Sequence, residues 1–112
     1  MSWFTQWLRY LYKAYRDGVF QNGNLVVVTV PIRILISERL SDDVVARIYY
    51  PDEGSCILIR KGLNEIEFDV AMRHELGHLY DWYAGGGRRV GSVKERETNA
   101  WAIAKALYYL MK

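Results

Sequence analysis

The stretch HELGH at positions 74–78 constrains the fold more than any other, because it holds both histidines of a 112-residue chain. Side chains four apart meet at one point when the backbone is helical, so the pair reads as one face of an α-helix. Glu75 lies one step round that helix. Gly77 gives up about 1 kcal/mol of helix propensity against alanine, which is expected where another backbone passes close. The start of the helix is legible too. Asn64 can cap it, and Glu67 three residues on completes a capping box. Phe68, Met72, Leu76, Leu79 and Tyr83 form an apolar stripe that leaves His74 and His78 on a different face.

The remaining chain supplies what such a helix packs on. Residues 2–17, SWFTQWLRYLYKAYRD, carry apolar or aromatic side chains at helical spacing and predict a backing helix with Gly18 after its end. The β-branched run LVVVTVPIRILIS (25–37) reads as a strand in which Pro31 forces a bulge or an edge-side position. DDVVARIYY (42–50) and SCILIRK (55–61) read as two further strands. PDEG between them predicts an antiparallel hairpin. The first of that pair is more mixed in polarity and is expected at the sheet edge. AGGGRRVGS (84–92) reads as a loop, a hinge between two helices, and VKERETNAWAIAKALYYLMK from Val93 onward predicts the last helix. The expected fold is α+β: one domain spanning residues 1–112, with a backing helix, a small three-stranded mixed sheet and two further helices.

Composition narrows the function classes. A formal charge of +2 and the absence of a dense Lys/Arg run argue against nucleic acid. A single cysteine, Cys56, excludes an internal disulfide framework and fits a reducing compartment. It is expected as a small core residue rather than a nucleophile. The longest apolar stretch is short and interrupted by Pro31 and Arg33, so no membrane span is expected. No basic leader with a cleavable apolar run opens the sequence. A cytoplasmic domain, with neither nucleic acid nor membrane as partner, is the expectation.

Two imidazoles at i and i+4 suit zinc, which binds neutral imidazole nitrogen at about 2.0–2.1 Å. Glu75 is poorly placed to join them as a ligand but well placed to take a proton from a water on the metal. A catalytic zinc site commonly takes three protein ligands, and no third histidine exists, so a carboxylate must serve. The downstream candidates are Asp81, Glu95 and Glu97. Asp81 is too close on the same helix to reach back and reads as a supporting or surface acid. Glu95 and Glu97 differ by about 200° round the last helix, so at most one faces the site. Asn99 and Ala102 share the face of Glu95. Asn99 offers an amide oxygen to a ligand histidine, and Ala102 offers close packing beside Gly77. Glu95 is therefore the expected ligand, with Glu97 in reserve.

HELGH followed by ERETNAWA resembles the gluzincin zinc metallopeptidases. The likeness is to ImmA/IrrE-type proteins, the catalytic cores of CAAX-prenyl and HtpX-type membrane proteases, and the stand-alone minigluzincins. The resemblance implies a second, glutamate-bearing helix whose glutamate is followed at +3 and +4 by a small residue and Asp or Asn. Thr98 and Asn99 take those places after Glu95, and Thr98 replaces the more usual alanine. It further implies a zinc-dependent peptidase acting on extended polypeptide, with His74, His78 and Glu95 as ligands and Glu75 as general base. The minimal members suggest a latent form as well, with the aromatic N-terminal helix filling the cleft. The alternative expectation is a zinc-stabilised domain without catalysis. Tyr49, Tyr50, Tyr80 and Tyr83 are all chemically able to stabilise an oxyanion, and Arg88 and Arg89 to attract acidic substrates.

Overall fold

The computed structural model describes residues 3–17, 25–27, 31–37, 40–41 and 43–110. Helix α1 (Trp3–Arg16) is followed by strands β1 (Leu25–Val27), β2 (Pro31–Ser37), β3 (Ala46–Tyr49) and β4 (Cys56–Arg60). Helices α2 (Glu65–Ala84) and α3 (Val93–Leu110) complete the order. The α+β architecture read from the sequence is present. The three expected strands lie side by side, with β2 parallel to β4 and β3 antiparallel to β4.

One feature differs from expectation. The run 25–37 is two strands, not one, because β1 folds back antiparallel on β2 with Val27 opposite Pro31. Proline has no N–H for a ladder, and the first residue of a strand is one of the few places that tolerates it. The sheet order is thus β1-β2-β4-β3. The more polar strand β3 takes the edge and the continuous apolar strand β4 lies inside, as their compositions predict.

Ile34, Ile57 and Ile59 are fully buried on the sheet, where they meet Phe68, Met72, Leu76 and Leu79 of α2. Burying each such side chain stabilises the fold by about 1.5–3 kcal/mol. Leu8, Leu11 and Tyr15 of α1 join the same core. The Tyr12 and Tyr15 rings lie 5.6 and 4.9 Å from that of Phe68. The Tyr15 hydroxyl donates to the Arg60 carbonyl and accepts from the Leu63 N–H at 2.9 Å, so α1 is fastened to the β4–α2 connection. Cys56 is buried in β4, and burial pushes its thiol pKa up, as befits a core residue.

The capping box at the start of α2 is present. The Asn64 side chain accepts from Glu67 N at 2.9 Å, and the Glu67 carboxylate accepts from Asn64 N at 3.1 Å. Beyond it, α2 and α3 touch backbone to backbone. A Cβ built on Gly77 would lie 2.3 Å from the Ala100 carbonyl oxygen, far inside contact distance. The glycine is therefore where the helices need it, although the residue opposite is Ala100. Ala102, expected there, is exposed.

Candidate metal centre

α2 presents His74 and His78 on the face it turns toward α3, with ring centroids 4.7 Å apart. The residue that meets them from α3 is Glu97. One carboxylate oxygen lies 2.9 Å from His74 Nε2 and the other 2.9 Å from His78 Nε2. One ligand atom from each of the three residues falls within 4.8 Å of the others, the arrangement needed to share an ion.

The carboxylate that the fold brings to the two histidines is that of Glu97, the reserve candidate, and not that of Glu95, the expected one. Glu95 belongs to the start of α3. Its backbone N–H donates to Ser92 Oγ at 3.1 Å and its carboxylate accepts from Ser92 N at 3.4 Å. These two bonds make a capping box, which holds a glutamate at the helix entrance and away from the metal residues. The signal was in the sequence: Ser92 and Glu95 have the S-x-x-E spacing. The buried stripe of α3, Ala100, Ala104 and Leu107, projects back one turn onto Glu97 rather than Glu95. In this register the positions three and four after the glutamate are Ala100 and Trp101. A small residue is thus in place at +3, while the +4 position holds no Asp or Asn. Trp101 instead stacks on His74, with centroids 4.1 Å apart and planes 6° from parallel. Asn99 donates to Asp81 at 3.4 Å and does not serve the histidines.

The electrostatics favour ligation. Burial lowers the His78 pKa, the charge of Glu97 opposes that, and the charge of His74 adds to the lowering. The ring is held toward its neutral form, the form that binds a metal. Its Nδ1 is buried without a hydrogen-bond partner. The donor set, two imidazole nitrogens and a carboxylate, is the His₂Glu set of catalytic zinc.

Glu75 is almost fully buried beside this group, with one carboxylate oxygen 3.7 Å from His74 Nδ1. Its pKa is raised to about 7, by burial first and then by the charge of Glu97, with the Ile48 N–H pulling the other way. A carboxyl poised near neutrality can both take and return a proton.

The residues line a cleft along the outer side of β3. Two adjoining hollows, of about 550 and 270 Å³, share Ala46, His74 and Glu75. The larger is walled by Val44, Val45, Ile66, Val70 and Trp101 and is apolar. The smaller holds Arg47, Tyr50, His78, Arg96 and Glu97. Because Arg60 N donates to Val45 O, alternation along the β3–β4 ladder turns the backbone groups of Ala46 and Ile48 outward, toward the cleft. Of the four tyrosines considered, only Tyr50 lines it. The described side chains Leu8, Leu11 and Tyr15 of α1 belong to the core.

The loop after α2 is tied down near the same end. Gly86, Gly87 and Gly91 have positive φ, and Arg89 pairs with Asp52 at 3.1 Å and Glu53 at 2.6 Å. Its guanidinium also sits 4.7 Å from the centre of the Tyr50 ring. Arg89 is thus engaged with its own chain, and Arg88 is exposed and lines neither hollow. Among the described residues no helix is long and apolar enough to cross a membrane. Comparison with protein-family models, curated proteins and solved structures finds no match.

Proposed function

We propose that the chain is a zinc-dependent peptidase in which His74, His78 and Glu97 hold the metal and Glu75 is the general base. The observation that carries this reading is the buried Glu75 carboxylate, 3.7 Å from His74 Nδ1, beside His74, His78 and Glu97 in an open cleft. A site that serves only stability has no use for such a carboxyl. Zinc, when bound, would make a water acidic enough to deprotonate near pH 7 and polarise the substrate carbonyl. Glu75 would serve as the base that takes up a proton and the acid that returns one to the leaving amine. The exposed edge of β3 takes the peptide as an added strand, with the main-chain groups of Ala46 and the Ile48 carbonyl aligning it, the Ile48 N–H being engaged by Glu75. Tyr50, which lines the smaller hollow, is assigned the role of meeting charge that develops on the carbonyl oxygen.

Glu75→Gln tests the assignment. The substituted protein is expected to retain zinc while hydrolysis of unstructured polypeptide falls by about 10²–10⁴-fold. Undiminished hydrolysis in the substituted, zinc-loaded protein would remove Glu75 from its role. Zinc retained with no hydrolysis in either protein would leave a zinc-stabilised domain.

A further inference from the structure

The smaller hollow carries a cation that forms no ion pair with a described carboxylate. Arg96 precedes Glu97 on α3, and its side chain lines the cleft beside that carboxylate. Its Nε is buried and has no hydrogen-bond partner. Arg89 provides the contrast, since its guanidinium is satisfied by Asp52 and Glu53. The acids that share the hollow are otherwise engaged: Glu97 spans the two histidines and Glu75 accepts from the Ile48 N–H. Arg47, at 5.2 Å from the centre of the Tyr49 ring, adds a second positive charge to the same wall.

A buried donor left without an acceptor costs free energy, and a guanidinium presents a planar fork that matches a carboxylate. We propose that this hollow is a carboxylate-binding subsite, in which Arg96 selects peptides carrying a carboxylate next to the bond to be cut. The carboxylate belongs either to an acidic side chain or to the peptide's own C-terminus. The choice of a peptide as ligand rests on the peptidase reading, whereas the binding of a carboxylate by Arg96 does not. Arg96 is then a specificity residue, and the apolar hollow across the metal residues receives the neighbouring part of the chain.

The test uses the zinc-loaded full chain carrying Glu75→Gln, so that peptides bind without turnover. Alanine-based hexapeptides, with one Glu or Gln walked through the sequence, form the first series. The same peptides ending in a free carboxylate or a carboxamide form the second. Calorimetric titration is expected to show about tenfold tighter binding for the carboxylate member of one series. A preference in the first identifies a side-chain carboxylate, and in the second a C-terminal one. Adding Arg96→Gln should bring each pair to equal affinity with zinc content unchanged, and Arg96→Lys should restore part of the difference. Equal affinities before the Arg96 change would overturn the proposal. So would a preference that survives Arg96→Gln, since the carboxylate would then be on the metal. Should the chain hold no zinc, the same titrations and criteria apply to the metal-free protein, so the two readings fail separately.

Discussion

At the scale of single residues, two glutamates two positions apart do unrelated work. Glu95 closes the capping box with Ser92, and Glu97 reaches both histidines. Substitution should therefore separate them. Glu97→Gln is expected to abolish stoichiometric zinc, because it removes one of three ligands. Glu95→Ala should keep the zinc and lower stability by about 0.5–1 kcal/mol through loss of the cap. Metal analysis and urea unfolding of the two proteins decide the matter, and a reversed pattern would restore Glu95 as the ligand. Trp101 shows the same economy of position. It covers one face of the His74 ring and at the same time walls the apolar hollow.

At the scale of elements, the centre depends on how closely α2 and α3 approach. The contact of Gly77 with Ala100 sets that distance, since any Cβ at 77 would collide with a backbone carbonyl rather than a flexible side chain. Gly77→Ala brings a helix-propensity gain of about 1 kcal/mol, set against an overpacking cost of about 1–3 kcal/mol or more. The expected outcome is net destabilisation in urea together with weaker zinc binding, because the helices must part where the ligands converge. An unchanged or raised midpoint would mean the helices are not in contact there. The edge position of β3 follows from its mixed polarity, and its unpaired side is the one that faces the metal residues.

At the scale of the molecule, the core and the site occupy different faces of α2. Phe68, Met72, Leu76 and Leu79 bind it to the sheet and α1, while His74 and His78 look toward α3. A change on the core face should thus alter stability without touching the metal. Tyr15→Phe leaves the ring packed on Phe68 but removes the hydroxyl that bridges Arg60 and Leu63. A loss of about 1–3 kcal/mol is expected, because the Leu63 N–H is left without its acceptor. Zinc content should be unaltered, and a parallel loss of zinc would show that the two faces are coupled.

Much of this was legible locally. The i, i+4 histidines, the Asn64 and Glu67 cap, the hairpin around PDEG and the edge position of β3 all follow from interactions a few residues apart, which sequence spacing records directly. The cap that Ser92 and Glu95 form is local in the same way, since their S-x-x-E spacing lies in the sequence. The rest depends on groups that are distant in sequence. Which glutamate meets the histidines is set by the rotation of α3 about its axis, and that rotation is fixed by Ala100, Ala104 and Leu107 packing inward against α2 and the core. The split of residues 25–37 into two paired strands is settled by the sheet rather than by composition. The free guanidinium of Arg96 and the engaged one of Arg89 look alike in sequence. They differ because only Arg89 finds carboxylates, on a turn 36 and 37 residues away, once the chain has folded.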